Sequence, residues 1–190
     1  MSNSYKICTK CIMDTTDSNI YFDENGVCNH CKEYEERARK ELHYDKVGQE
    51  KLKQLVNRIK NDGKDKNYDC IIGLSGGMDS STAAFTVKRL GLRPLALHLD
   101  NEWNSEIAVY NIKNIVEKLN IDMRTYKVDW EEFKDLQLPF LKSSISNCEM
   151  ITDHAIIALM FQTAAKEKIK YIIQGGNIVT EGVLPKSWPH

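Results

Sequence analysis

Four cysteines near the N-terminus have the spacing of a metal-binding site. Two C-x2-C pairs with 16 residues between them are formed by Cys8, Cys11, Cys28 and Cys31. Two such pairs can close a tetrahedral zinc site that has no open coordination position. The sequence therefore predicts a structural zinc ion held by four thiolates, with the neighbouring His30 as a bystander. An iron–sulfur site or redox-active pairs are the alternatives.

A glycine pair stands between an apolar run and a predicted helix. Residues 74–81 read Leu-Ser-Gly-Gly-Met-Asp-Ser-Ser, a spacing that is neither a Walker A loop nor a dinucleotide fingerprint. The glycines permit a sharp turn, and a helix N-terminus offers unpaired N–H groups to an anion. A phosphate or pyrophosphate site is predicted, in which Asp79 orients the loop or helps to hold Mg²⁺; an ordinary turn capped by Asp79 is the alternative. The assigned residues are Ser75, Gly76, Gly77, Asp79, Ser80 and Ser81, of which Asp79 and Ser80 are also assigned to catalysis.

Two further segments follow predicted strands and are assigned to the same site. One follows the apolar run 94–99, and the other, a Gly-Gly-Asn segment, follows the run 171–174. Ligands of open α/β sheets bind at the carboxyl ends of the strands, so these residues are expected near the phosphate loop. Taken alone, each could be an ordinary turn. The residues assigned to the site are Asp100, Gly175, Gly176 and Asn177.

A histidine at the start of a later helix is the candidate acid–base group. His154 belongs to the segment Thr-Asp-His that opens a predicted helix over 152–166. Thr152 is predicted to cap this helix, and Asp153 favours its positive end. A histidine facing a cleft there could move a proton or contact substrate. Cys148, just before this helix, is interpreted as structural, and Cys70 as a buried small apolar residue.

The elements that must position these groups alternate between strands and helices. Apolar runs at 68–74, 94–99, 123–128 and 171–174 alternate with helical patterns at 80–90, 105–119 and 152–166. This order predicts an α/β fold with a doubly wound parallel sheet. We predict a small zinc-ribbon-like module over residues 1–33, a helical connector over 34–66 and the α/β domain over 67–190. The tail 182–190 is loop-like, and a truncated C-terminus is expected.

Composition excludes several classes of protein. The 190 residues carry 26 basic and 27 acidic side chains, a net charge of −1. This balance argues against a basic nucleic-acid arm and against an acidic disordered tail. The chain contains no apolar run near the ~20 residues that span a bilayer and no signal-peptide core at its N-terminus. We therefore expect a cytoplasmic protein that does not insert into membranes.

The loop Ser-Gly-Gly-x-Asp-Ser, residues 75–80, resembles the signature of the PP-loop ATP pyrophosphatases. The resemblance implies cleavage of ATP to AMP and pyrophosphate with Mg²⁺, which adenylates a carbonyl-type oxygen before ammonia or sulfur displaces AMP. It also implies adenosine contacts after the second strand, near Asp100, and a glycine loop near the pyrophosphate at 175–177.

Longer segments resemble a narrower group, the N-acetyl sugar amidotransferases of bacterial surface-polysaccharide (lipopolysaccharide) synthesis. These segments are the cysteine-bearing pieces, Asp100-Asn-Glu-Trp-Asn104, Val128–Leu138, Thr152–Ile156 and Gly175–Asn177. The resemblance implies that ATP activates the acetamido group of a nucleotide-linked N-acetyl sugar and that ammonia converts it to an acetamidino group. A separate glutamine amidotransferase subunit is the expected source of ammonia. Cys148 departs from the family pattern, which weakens any catalytic role for it.

Two other functions stay open. A PP-loop tRNA sulfur transferase can also carry zinc-binding C-x2-C pairs, but the net charge and the isolated Cys148 argue against it. A non-catalytic zinc-ribbon module with a degenerate nucleotide fold is the second alternative, and the intact loop 75–80 argues against that. Binding of nucleic acid is therefore not expected.

Overall fold

The fold comes from a computed structural model that describes residues 4–145 and 147–183. The described chain separates into two compact units. The cysteine unit runs to Glu50 and includes the segment from Asn177 onward, and the sheet unit is Lys51–Gly176. The predicted boundaries at 33/34 and 66/67 stay predictions.

The helices and strands alternate in the order expected for a parallel α/β fold. The helices are α1 (Asn29–Glu41), α2 (Lys46–Gly63), α3 (Met78–Arg89), α4 (Glu106–Leu119), α5 (Trp130–Lys142) and α6 (Met150–Lys166). The strands are β1 (Cys70–Gly73), β2 (Pro94–Asp100), β3 (Asp122–Lys127) and β4 (Ile172–Ile173). None of the helices within the described residues is long and apolar enough to cross a membrane.

The four strands form one parallel sheet in the order β3-β2-β1-β4. Strand β1 is central, with Ile71 opposite Leu95 of β2 on one side and Ile172 of β4 on the other. Its first three residues, Cys70, Ile71 and Ile72, are fully buried, as the uninterrupted apolar run predicts for a strand covered on both faces.

Two apolar clusters cover the two faces of the sheet. On one face, Ile72 and Ala96 pack with residues of α2, α3 and α4, such as Val87 and Ile112. On the other, Leu95 and Leu97 pack with residues of α6. The alternation along β2 follows from the two-residue period of a strand, and the helices on both faces confirm the predicted doubly wound architecture.

Local structure differs from the sequence-based prediction in two places. Helix α5 was not predicted; it contains Pro139, and its buried positions are Phe133 and the polar Gln137. Helix α6 begins at Met150 with Glu149 as its N-cap, so Thr152 lies inside the first turn and the predicted Thr152 cap is wrong. The strands agree with the prediction to within a few residues at each end.

The cysteine unit is built around short antiparallel bridges and α1. Bridges join Ile7 with Asp14 and Phe22 with Cys28. A turn at 23–26 separates the two cysteine pairs: the Asp23 carboxylate accepts hydrogen bonds from the amides of residues 25 and 27, and Gly26 has a positive φ of 77°. The second cysteine pair is not a free-standing knuckle, because Cys28 is the N-cap of α1.

Candidate active site and metal centre

The predicted phosphate loop joins β1 to α3 and is held by close contact with α4. Gly76 has a φ of 77°, and a Cβ at this position would lie 2.3 Å from the carbonyl oxygen of Ala108. The Asn111 side-chain amide donates to the Gly76 carbonyl at 3.0 Å. Only glycine satisfies both the left-handed backbone and the close approach, so this residue fixes the path of the loop.

Serine hydroxyls shape the loop from within. Ser80 Oγ accepts from the Ser75 amide at 3.2 Å and lies 3.1 Å from Ser75 Oγ. Ser81 Oγ donates to the Gly77 carbonyl at 2.6 Å. These bonds set the turn that precedes α3, whose first N–H groups form the end of the loop.

The N-terminus of α3 lacks a side-chain cap. Its N-cap is Gly77, with extended backbone and no capping hydrogen bond from a side chain. Asp79 lies exposed in the first helical turn, so its proposed role as the helix cap is not what the structure shows. Uncapped N–H groups at a helix N-terminus, together with the helix dipole, form an anion-binding site.

Gly175 brings the end of β4 against this helix terminus. A Cβ there would lie 2.9 Å from the carbonyl carbon of Asp79 and from the Ser80 nitrogen. A larger side chain could not occupy this position without displacing backbone. The two predicted glycine segments therefore meet at one end of the sheet, as the strand-end argument predicted.

A cavity of about 480 Å³ opens at the carboxyl ends of β1, β2 and β4. Its volume lies in the range of small-molecule sites. Its polar wall includes the buried residues His98 and Asn101. The Asn101 side-chain amide donates to Thr152 Oγ1 at 3.3 Å. The lining residues are Gly73, Leu74, Ser75, Ser80, Leu97, His98, Leu99, Asn101, Asn104, Thr152, Asp153, Ile156, Ile157, Leu159, Met160, Gln174, Gly175 and Gly176.

The four N-terminal cysteines converge on one point in the cysteine unit. The Sγ atoms of Cys8 and Cys31 are 3.9 Å apart, those of Cys11 and Cys28 are 3.7 Å apart, and all four lie within 4.8 Å of one another. Tetrahedral zinc with Zn–S bonds of about 2.3 Å separates its sulfurs by about 3.8 Å. A disulfide needs about 2.05 Å. The four sulfurs therefore fit a zinc ion.

The electrostatics of the cluster also favour a bound cation. Burial opposes ionisation of the Cys8 thiol, but backbone N–H donors from Lys10 and Cys28 lower its pKa to about 6. Burial raises the pKa of Cys28 and of Cys31. Thiolates at these buried positions need a cation to remain charged. His30 lies outside the cluster and its Nε2 contacts the Asp17 carboxylate at 2.6 Å, as expected of a bystander.

Residues 48–173, more than half of the chain, match the family model described as NAD synthase. The chain belongs to the NAD synthase family. This family is part of the PP-loop ATP pyrophosphatases, and it uses ATP and Mg²⁺.

Individual relatives of this NAD synthase-family chain are distant. A probable mitochondrial tRNA-specific 2-thiouridylase 1 of Caenorhabditis elegans is 28% identical over 112 residues, which are 52% of this chain and 30% of that protein. An NH3-dependent NAD synthetase from Campylobacter jejuni is 18% identical, with a TM-score of 0.49 over 68% of this chain and 57% of that chain. An NMN synthetase from Francisella tularensis is 22% identical, with a TM-score of 0.48 over 68% and 55%. The chain spans less than two thirds of the length of each of these three proteins.

The predicted site residues of this NAD synthase-family chain fall into two groups. Ser75, Ser80, Gly175 and Gly176 line the 480 Å³ cavity. Gly76 and Gly77 shape the loop beside it, while the first turn of α3 carries Asp79, Ser80 and Ser81. These assignments stay predictions of binding.

Three further predicted site residues belong neither to the wall of this cavity nor to the phosphate loop and first turn of α3. Asp100 ends β2 but lines a second cavity, and its Oδ1 accepts from Glu102 N and Asn104 Nδ2. His154 is exposed, with Nδ1 2.7 Å from the Met150 carbonyl of its own helix. Asn177 belongs to the cysteine unit, where its Oδ1 accepts from the Val179 amide at 3.0 Å.

Sequence reasoning missed two buried polar residues of the site, His98 and Asn101. Both belong to the segment His-Leu-Asp-Asn at the end of β2, from which only Asp100 was chosen. A polar residue inside an apolar strand run was the signal that could have found His98. Cys70 is fully buried, and burial raises the pKa of its thiol to about 12, in agreement with its predicted apolar role.

Proposed function

We propose that this chain uses ATP to activate the acetamido oxygen of a nucleotide-linked N-acetyl sugar and that ammonia then replaces that oxygen. The observation that carries the ATP step is the uncapped N-terminus of α3 behind Gly76 and Gly77, beside a 480 Å³ cavity. Membership of an ATP-using family supports the same step. The sugar and the ammonia are supported by the resemblance to N-acetyl sugar amidotransferases.

The chemistry proceeds in two balanced steps. The acetamido oxygen attacks the α-phosphorus of ATP, the α–β phosphoanhydride bond breaks, and pyrophosphate leaves with Mg²⁺. The amide N–H proton is lost as the imidate ester of AMP forms. Ammonia then adds to the imidate carbon, AMP departs as the dianion with the former amide oxygen, and the acetamidino product keeps all three hydrogens of ammonia as an acetamidinium ion.

The loop would act mainly on the departing pyrophosphate. Backbone N–H groups at the start of α3 and the hydroxyls of Ser75 and Ser80 provide donors where negative charge develops. The exposed Asp79 carboxylate would bind the Mg²⁺ that accompanies the phosphates. Gly175 keeps the opposite wall close to this terminus because it has no side chain.

Ammonia is proposed to come from a separate glutamine amidotransferase subunit. Most ammonia is protonated at neutral pH, and the ammonium ion cannot attack carbon. The sequence contains no cysteine in the setting of a nucleophile elbow. The four-cysteine cluster would hold a structural Zn²⁺ and take no part in the reaction, because four thiolates leave no open position. A cytoplasmic location belongs to the same proposal, since ATP and nucleotide sugars are found there.

Pyrophosphate release tests the proposal. The purified protein is incubated with Mg-ATP, a UDP-linked N-acetyl sugar and ammonium chloride, and each component is omitted in turn. Release that requires both sugar and ammonium supports the proposal, whereas release that ignores the sugar contradicts it. Asp79→Asn should lower the rate at least 100-fold with unchanged zinc content. The matched control is Asp135→Asn, which alters an exposed carboxylate on α5.

A second candidate, tRNA thiolation, is favoured by one observation. The curated relative with 28% identity is described as a probable tRNA-specific 2-thiouridylase. The same assay therefore includes an arm with tRNA and a sulfur donor in place of sugar and ammonium. Pyrophosphate release in that arm alone would move the chain to the thiolation branch.

A further inference from the structure

A second cavity lies between α4 and the carboxyl ends of β2 and β3. Its volume is about 550 Å³. Three carboxylates line it, from Asp100 at the end of β2, Glu102 in the following loop and Glu117 on α4. Apolar side chains such as Ile112 and Met123 form its floor.

His98 stands in the wall shared by this cavity and the 480 Å³ cavity. Its side chain is only 8% exposed, and its Nδ1 lies 2.9 Å from the carbonyl oxygen of Leu74, the residue before the phosphate loop. A carbonyl can only accept, so Nδ1 carries the hydrogen and the neutral ring keeps its lone pair on Nε2. Within the described residues the bond through Nδ1 is the hydrogen bond found for this side chain. Since no fully buried side-chain nitrogen or oxygen there lacks a partner, Nε2 is in contact with open cavity space.

The second cavity is rich in acceptors and carries excess negative charge. Against the three carboxylates, the lining contributes one ammonium group, Lys113, whose Nζ is 4.0 Å from Glu117 Oε1. Lys127 pairs with Glu102 at 2.7 Å. A small cation that only donates hydrogen bonds complements these carboxylates in charge and in hydrogen bonding. A nucleotide diphosphate would be repelled by their negative charge.

We propose that this second cavity binds ammonium and that His98 Nε2 accepts one of its protons. The inference rests on the proposed function, because it names the place where the nitrogen of that reaction is collected. Transfer of a proton to Nε2 leaves a protonated His98 and ammonia in the second cavity, next to the wall that this cavity shares with the 480 Å³ cavity. The acetamidinium product takes all three of its N–H hydrogens from ammonia, so His98 releases the accepted proton to solvent and is neutral again for the next turnover.

Ammonium binding can be measured without turnover. The melting temperature of the protein is followed against ammonium chloride, with potassium and sodium chloride at equal ionic strength as references. We expect a saturable rise with ammonium that Glu117→Gln abolishes and Asp135→Asn retains. An equal rise with potassium, or a rise that survives in Glu117→Gln, overturns the site.

Kinetics with ammonium separate this inference from the proposed function. Glu117→Gln should raise the KM for ammonium at least fivefold while the KM for ATP stays within twofold. His98→Asn retains an amide that can donate to the Leu74 carbonyl but loses the Nε2 acceptor, so kcat should fall about 100-fold. If the wild type releases pyrophosphate with sugar and ammonium but both variants keep wild-type values, the ammonium site is wrong and the function stands. If the wild type shows no sugar-dependent release, the function fails, and the melting experiment alone decides the cavity.

Discussion

The cysteine unit and the sheet unit keep their structures by different means. In the cysteine unit, the described buried apolar residues are Cys8, Cys28 and Cys31, with side chains such as Phe22 packed around them. In the sheet unit, two apolar clusters cover both faces of a parallel sheet. One unit is organised by the chemistry of four sulfurs, and the other by buried apolar area.

Because the two units are stabilised in different ways, we expect their folding to be sensitive to substitutions at different kinds of residue. A unit with so small a core needs a metal or another cross-link to remain folded. The sheet unit can lose one contact and stay folded, but its phosphate loop depends on a single glycine that touches a neighbouring helix. The largest effects are therefore expected at the cysteines, then at the loop, and the smallest at helix ends.

Removal of zinc should unfold the cysteine unit and leave the sheet unit folded. Cys28→Ser removes a ligand whose sulfur is 3.7 Å from that of Cys11, so zinc content should fall from about one per chain to near zero. Hydrogen exchange should then show lost protection in α1 but not in β1. Cys148→Ser, which lies outside the cluster, should retain zinc. Full zinc content in Cys28→Ser would contradict the contrast between the units.

Gly76→Ala should be the most damaging single change in the sheet unit. A methyl group would have to occupy a left-handed backbone position 2.3 Å from the Ala108 carbonyl oxygen. We expect a loss of about 2–3 kcal/mol in the free energy of unfolding. Gly77→Ala is the matched control, because its Cβ would meet nothing closer than Ser75 Oγ at 3.4 Å. Denaturant unfolding should show that Gly77→Ala changes the free energy of unfolding by less than about 1 kcal/mol. Equal losses of stability in the two variants would refute the packing argument.

Arg93→Ala should destabilise the sheet unit without touching the site. Its guanidinium bonds the Asp69 carboxylate at 2.6 Å and the carbonyls of Lys66 and Gly63 at 2.7 Å, and Asp69 is 2% exposed. Its removal leaves the buried carboxylate with the backbone amide of residue 93 as its donor, at 2.9 Å, and we expect a cost of about 1–2 kcal/mol. Arg124→Ala breaks a more exposed pair with Glu167 and should cost under about 1 kcal/mol. Urea unfolding of both variants checks that Arg93→Ala loses more stability than Arg124→Ala. Equal unfolding midpoints would contradict this order.

Ser105→Ala should have the smallest effect of the series. Ser105 caps α4, and its Oγ accepts from the Ala108 amide at 3.2 Å. Loss of an N-cap costs about 1 kcal/mol, whereas Ser105→Gly should cost only a few tenths. Thermal unfolding of the two variants measures this difference. An alanine variant as stable as the glycine variant would show that the cap contributes nothing.

The sequence was most informative where one residue type determines the local structure. The spacing of the cysteine pairs predicted a cluster that the structure confirms, and the glycine pair at 76–77 predicted the sharp turn, where Gly76 has a positive φ. Helix α5 was missed because its buried face includes the polar Gln137 and its last turns contain Pro139, which weakens the helical pattern. Gln137 is buried because it accepts a hydrogen bond from Trp103 Nε1 at 3.0 Å, a tertiary contact that no local pattern shows.

In the candidate site, too, some features were predictable from local sequence patterns and others depend on tertiary packing. Strand ends and the loop were predicted, because parallel strands bring their carboxyl ends together. The position of Asp100, which lines the second cavity and not the cavity beside the loop, was not predictable, since it depends on how α4 packs against β2 and β3. Helix α6 begins at Met150, so His154 lies in its second turn, and its side chain is exposed there.

The products of ATP cleavage test the central claim most directly. The wild-type protein, with Mg-ATP, sugar and ammonium, is sampled over time and its nucleotides and phosphates are separated. We predict AMP and pyrophosphate in equal amounts, with both lost in Asp79→Asn and retained in Asp135→Asn. Formation of ADP and inorganic phosphate, or pyrophosphate release that persists unchanged in Asp79→Asn, would contradict the assignment of loop 75–81 as the phosphate site.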